Sequence, residues 1–584
     1  MLITDIPVEI ILDNLLPRLP LNDLFHLQST NKFFAQLCHD ETLWKKKLSE
    51  DYNFPDESTA RTSGWKFIYL RLTKPRVFVW GRKEQGRLGM TTFPQSTLNN
   101  VSFPLELKFP GTRIVHLVAG GMSFQALDSD GCIHVWGALD GSQYALNSDG
   151  FSESGKVATT PLKLQMPTSI RSISCGRLHS SSLDANNQIW TFKSWGRPFR
   201  LVSDILSSPD SLPVQVESLT SSGSVLVWCP FSNPMRTLIE TKMNEMDEAG
   251  ILKAHTTDEG LINCVPWDLQ ADPIVLPSLP LNLPKLAESE SDFESINNQL
   301  RIIKIAGFEN ALVALTNQGH VLLFDTLGEA SRGNWQYLPH FSEAEKIRNH
   351  SAFSGSTLDP PRENFKITHV SAHFRSFIAY SESVVLIGNT ETKADTPPKI
   401  IPGLQNKSVI SVVLGDYHFA AVTATGKLLT WGHYSDGALG LGDPGLLPPG
   451  SPGGFSTEAM RIQALETNRG TPPDVEVPTE VRFDSHRKKP KDRFCVSAAA
   501  SGWHTGALDN ENEDDSDLEI EKEVAHSGRR LRHLGIGRRQ QGETPPILAG
   551  GIPTQDPAVP FVGRGGGLFR IGFAGRGIHR GRGA

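Results

Sequence analysis

A short strand ending in an aromatic residue and a glycine recurs along this chain, as VFVWG at 77–81, IHVWG at 133–137 and LLTWG at 428–432. The first and last copies run on into EQGRLGM and SDGALGLGD. Ahead of most copies lies a second recurring element: VAGGMSFQAL (118–127), SCGRLHSSSL (174–183), IAGFENALVAL (305–315), VSAHFRSFIAY (370–380), VLGDYHFAAV (413–422) and AASGWHTGAL (499–508). A strand, a Gly-containing turn, a second strand and a hairpin into an aromatic-ended third strand make one supersecondary unit. Its repetition dictates the architecture, because such a unit cannot bury both faces alone and must stack on its neighbours.

Strand ends fall near Trp80, Trp136, Trp190, Trp228, Phe324, Ile387 and Trp431, seven in all. The spacing is broken by insertions at 235–298, 329–362 and 443–480. The fold class expected is therefore mainly β, a seven-bladed propeller over 77–508. The strand at 77–81 has no hairpin before it, and the hairpin at 499–508 has no strand end after it. Pairing the two completes the last blade and removes two open sheet edges.

The first 48 residues are of another kind. After Pro7, Ile10, Ile11, Leu15 and Leu16 mark a short helix that a Pro can open without losing a bond. A break at Pro17 and Pro20 precedes Leu21, Leu24, Phe25 and Leu27, with Asn22 as cap candidate, and a third run holds Phe33, Phe34 and Leu37. Trp44 belongs to a last short helix. So small a bundle has more apolar side chains than it can bury, which implies a partner. Residues 49–76 form a connector whose Trp65, Phe67, Ile68, Leu70 and Leu72 are expected to pack the head against the propeller in a fixed orientation.

Composition narrows the function classes. The 584 residues suit several domains or one large repeat array, and the net charge of −7 argues against general binding to nucleic acid or an anionic membrane. Six scattered cysteines form neither a CxxC metal site nor a dense disulfide frame, so reduced thiols and a cytoplasmic and/or nuclear setting are expected. No apolar run approaches membrane-spanning length, and no basic flank precedes an apolar run at the N-terminus. From 509 onward the chain turns acidic (ENEDDSDLEIEKE from Glu511, with Ser516 a candidate phosphorylation site), then basic and Gly/Arg-rich to 584. Disorder is expected for most of this tail, with FRIGFAG at 569–575 the exception that could add a strand.

In order and spacing, Ile6-Pro7, Glu9-Ile10-Ile11, Leu15, Leu19, Leu21-Asp23-Leu24, Leu27, Asn31-Lys32-Phe33 and Leu43-Trp44 closely resemble an F-box. The repeats at 77–508 resemble the regulator of chromosome condensation (RCC) type of β-propeller, most clearly in the first, second and last blades. The whole layout is similar to the fungal SCF-associated factor family. The resemblance implies a non-catalytic substrate receptor of an SCF (Skp–cullin–F-box) E3 ubiquitin ligase. The head would bind the Skp adaptor and, through it, a cullin-RING ligase; the propeller would capture a protein substrate for proteasomal degradation. Adaptor-facing candidates are Ile6, Pro7, Ile10, Ile11, Leu15, Leu19, Leu24 and Leu27, some of which must instead hold the helices together. The alternative is an RCC-like guanine-nucleotide exchange factor or chromatin-binding propeller.

No catalytic constellation, cofactor site or metal site stands out. The Gly-rich turns lack the helix and Lys of a phosphate loop. His179, His418 and His504 share one repeat position but belong to different blades, which favours a structural role within the blade over metal binding. Trp80, Trp136 and Trp431 are expected to pack between blades. For substrate capture the loops 138–150 and 434–480 are the candidates, because binding residues gather on loops held by a rigid scaffold.

Overall fold

The computed structural model describes residues 6–511, apart from 95–99, 141–144, 147–148, 208–212, 214–218, 232, 252–253, 258, 287–298, 327–332, 355–357, 468 and 485–492. The tail from 512, with Ser516, the Gly/Arg steps and the 569–575 segment, lies outside the described residues.

Among the described residues six sheets of three to five strands make a propeller arrangement. Sheet 1 joins the two ends of the repeat array: Asn100–Leu107, Arg76–Arg82, His504–Glu511 and Arg493–Ser501, in that order. The pairing of 76–81 with 504–509 is antiparallel and unbroken, from Arg76 opposite Asp509 to Gly81 opposite His504. The closure expected from the two unpartnered repeat halves is therefore present. Sheet 2 is built on Ile114–Ala119, Ser123–Asp128, Ile133–Ala138 and Val157–Leu164, and sheet 3 on Ile170–Cys175, Ser180–Asp184, Ile189–Phe192 and Phe199–Val202. Sheets 4, 5 and 6 begin at Ile302, His369 and Val409.

Near Trp228 the sequence pattern calls for another blade, but the described residues form only a two-stranded ribbon, Leu226–Val227 with Ile274–Val275. The chain that follows Trp228 is diverted. It forms the helix Met235–Glu248, then adds Leu261–Ile262 in parallel to the outer strand of sheet 2 and Trp267–Gln270 in parallel to that of sheet 3. The insertion thus covers two blade edges that would otherwise offer free backbone groups.

The Trp-Gly ending has a steric cause. The register shifts between Val79 and Gly81, Val135 and Gly137, and Thr430 and Gly432, where three residues of the outer strand stand opposite the single Trp, so each Trp faces a bulge in its partner strand. Each glycine has positive φ, and a Cβ there would lie 2.5, 2.3 or 2.6 Å from a carbonyl oxygen of the neighbouring strand's turn. The glycine of the following LG step makes room for the next blade's indole: a Cβ on Gly440 would meet Trp80 at 2.7 Å, and one on Gly89 would meet Trp136 at 3.0 Å. Trp80 also donates its indole N–H to the carbonyl of Ala438, 2.8 Å away. The motif is therefore an interblade joint. Among the described residues no helix is long and apolar enough to cross a membrane.

Candidate protein-interaction surfaces

Local chemistry sets each turn of the head. Pro7 precedes Val8–Ile10, which runs on through a wider turn at Ile11–Leu15, and Pro17 ends that segment one turn later. Pro20, rather than Asn22, occupies the cap position of Leu21–Gln28; Asn22 lies inside the first turn. Asn31 caps Lys32–Leu37 by accepting from the Phe34 N–H at 3.0 Å, and Asp40 caps Glu41–Tyr52 by accepting from Thr42 at 2.8 Å. Trp44, fully buried, donates to the Cys38 carbonyl at 2.8 Å. Lys47, 2 % exposed, reaches the carbonyls of Pro17 and Leu19 at 2.9 and 3.1 Å and Asp51 at 2.8 Å. It fastens the proline break to the long helix.

This packing sorts the sequence-derived candidates. Ile11 and Leu24 are fully buried with Leu16, Leu43 and Leu48, so they belong to the core of the head and not to a contact surface. Ile6, Leu19 and Leu27 are half-buried against that core. Pro7, Ile10 and Leu15 are exposed, Ile10 at 51 % and Leu15 at 38 %, and Val8 joins them at 38 %. Sequence reasoning missed Val8, and only the burial of its neighbours distinguishes it.

The head is fixed to one face of the propeller. Trp65–Arg71 is a helix whose Trp65, Ile68 and Tyr69 share one continuous core with Trp44 of the head and Val77 of sheet 1. Ahead of it, 53–59 lies across the mouth of the central channel, a cavity of about 610 Å³ lined by the inner strands. Asn53 donates to the Ile170 carbonyl at 2.8 Å, the Ala60 N–H to that of Ile410 at 2.7 Å, and Lys304 to that of Glu57. These contacts fall at the starts of the inner strands. The turns at the opposite ends of those strands, and the loops that follow each third strand, are on the far face. Both candidate capture loops, 138–150 and the stretch after Gly432, leave from that far face. The latter carries the exposed helix Glu458–Thr467, with Met460, Ile462 and Leu465 each 45 to 59 % exposed.

Two of the three repeat histidines, His418 and His504, bridge neighbouring blades and do not bond within a blade as the repeat suggests, whereas His179 meets the Phe231 ring edge-to-face at 5.5 Å. His418 of sheet 6 meets the Thr505 hydroxyl of sheet 1 at 2.9 Å, and His504 of sheet 1 meets the Ser123 carbonyl of sheet 2 at 3.2 Å. In sheet 2 the same joint is made by Gln125, whose amide donates to Ser180 of sheet 3 at 2.5 Å. Burial pushes His418 down to about 4 and His504 well below the ordinary histidine range, so both are neutral at physiological pH. Among the described residues no group of three His, Cys, Asp or Glu could hold a metal ion.

The family model of the regulator of chromosome condensation (RCC1) repeat matches residues 76–127 and 409–437, which fall in sheets 1, 2 and 6. The chain is similar to SCF-associated factor 1 of Saccharomyces cerevisiae, 31 % identical over 148 residues that cover 24 % of this chain and 20 % of that protein. It is also similar to F-box protein pof9 of Schizosaccharomyces pombe, 27 % identical over 146 residues, covering 24 % of this chain and 27 % of that protein. Protein pim1 of the same yeast is 22 % identical over 385 residues, covering 63 % and 57 % of the two chains. Each match spans less than two thirds of the relative's own length.

Proposed function

We propose that this chain is the substrate-recognition subunit of an SCF ubiquitin ligase, working in the cytoplasm and/or nucleus without catalysis of its own. The head is read as an F-box that docks on the Skp adaptor through Pro7, Val8, Ile10 and Leu15, with Ile6, Leu19 and Leu27 at the margin. The observation that carries the reading is geometric: an unpartnered apolar row sits on a head fastened to one propeller face, while the long loops leave from the other. A receptor needs this separation, since the ligase must be held on one side and the target on the other. The relatives named SCF-associated factor and F-box protein support the same reading. The ribbon at Leu226–Val227 and Ile274–Val275, which packs through Val225 and Leu276 on sheet 4, is counted as the remnant of a seventh blade.

Affinity purification from cells tests the reading, comparing the intact chain with the double variant Ile10→Asp, Leu15→Asp. Deleting 1–48 would strip Trp44 and Leu48 from the core shared with sheet 1 and confuse lost docking with lost folding. The intact chain should recover the Skp adaptor and a cullin, and the double variant neither. Absence of both from the intact chain overturns the proposal.

A further inference from the structure

Sheet 5 turns between its first two strands through Phe374 and Arg375, and Phe374 is held at φ 50°. The matching first position of the turn in sheet 1 is Gly502, at φ 47°. A bulky side chain in the left-handed region is strained, and glycine is the residue that normally opens such a turn. Strain of this kind persists where the side chain has a task that glycine cannot perform.

The neighbours of Phe374 indicate the task. The guanidinium of Arg177 lies 5.0 Å from the ring centroid and that of Arg375 lies 5.3 Å from it, while Tyr417 meets the ring edge-to-face at 5.6 Å. Arg177 and Arg375 are 54 % and 64 % exposed, and Tyr417 is 52 % exposed. Among the described residues each arginine is oriented by one acid: Nη2 of Arg177 lies 3.3 Å from Asp416, and Nε of Arg375 lies 2.8 Å from Glu309. Asp416 is itself buried, yet against the upward push of burial its hydrogen bond with His373 and the charge of Arg177 hold its carboxyl below the ordinary range. A guanidinium has five donors, so the outer N–H edges stay open. Around the same mouth Arg82 stacks on Trp503 at 4.8 Å, but Glu84 and Asp436 occupy its donors.

We propose that Phe374, Arg177, Arg375 and Tyr417 form the anchor site for the target, and that what they bind is an acidic peptide segment. A carboxylate fits the open guanidinium edges bidentately, and an adjacent apolar side chain lies against Phe374 and Tyr417. Tyr and Arg held rigidly at the centre of a face are the residue types that dominate binding energy. The proposal rests on the receptor reading and names the chemistry of its target.

The test is selection of a displayed library of random heptapeptides on the full-length protein. Selected peptides should be enriched in Asp and Glu, and their affinity should fall at least tenfold in the double variant Arg177→Gln, Arg375→Gln and at 0.5 M salt. Phe374→Asn supplies an independent readout, because Asn tolerates positive φ: it should melt no lower than the parent yet lose most peptide binding. Peptides without acidic enrichment, acidic peptides insensitive to both arginines, failure to select any peptide, or a Phe374→Asn variant that binds normally overturns the proposal. Adaptor capture by the same variants is scored separately, so loss of the ligase reading is distinguishable from loss of this site.

Discussion

Adjacent isoleucines in the head provide a sharp test, because one is fully buried and the other is 51 % exposed. Ile11→Ala removes a side chain packed among Leu16, Leu24 and Leu48, and large-to-small changes of this kind cost about 2 to 5 kcal/mol. Ile10→Asp removes no core contact, and an acid in the first helical turn is favourable, so stability should stay within about 0.5 kcal/mol. Docking is affected differently. Burying the exposed half of Ile10 contributes about 1 kcal/mol, and a carboxylate left unpaired in an apolar contact costs about 2 kcal/mol more. The sum, about 3 kcal/mol, weakens adaptor binding about a hundredfold. Thermal melts of both variants, beside titration calorimetry with purified Skp adaptor, give the comparison. Wild-type affinity for a folded Ile10→Asp would refute the docking surface, and an unchanged melt for Ile11→Ala would refute the packing of the head.

Three further outcomes follow from other sites. Lys47→Met keeps the aliphatic stem but strands the carbonyls of Pro17 and Leu19; it should cost about 3 kcal/mol, and hydrogen exchange should quicken over 8–37 while the propeller strands stay protected. Gly440→Ala drives a Cβ to within 2.7 Å of the buried Trp80 indole and should lower stability by about 1 to 3 kcal/mol, read in denaturant melts. The histidine joints predict acid sensitivity. His418 has its folded pKa depressed to about 4, so the stability it contributes is fully present above its unfolded value near 6.5 and is lost as pH falls toward 4. The slope is at most about 1.4 kcal/mol per pH unit per such histidine, and His418→Gln should flatten the melting profile between pH 6.5 and 4; an unchanged profile refutes the assignment.

Much of this was legible in the sequence for steric reasons. Trp-Gly marks a bulge that only glycine allows, so blade ends announce themselves, and the unpaired strand at 77–81 points to its partner at 504–509. The middle of the chain was less legible. The residues after Trp228 leave the ring to form a helix and two edge strands, and parallel edge pairing has no periodic signature. In the head, a 3.6-residue period cannot separate Ile10 from Ile11, since the wide turn at Ile11–Leu15 changes which side chains point inward. The segment 53–59, which lies across the mouth of the channel, is held there by isolated hydrogen bonds at Asn53 and Glu57 and has no periodic pattern to read. The strain at Phe374 depends on a backbone angle, which the sequence HFRS does not disclose.

The central claim is that one rigid molecule holds a ligase adaptor at its head. The most direct measurement is a titration of the purified full-length chain with purified Skp adaptor. The account predicts one adaptor per chain with a Kd of micromolar or tighter, abolished by Ile10→Asp with Leu15→Asp while the melting temperature is unchanged. No measurable binding by the intact, folded chain, or equal binding by the double variant, would contradict it.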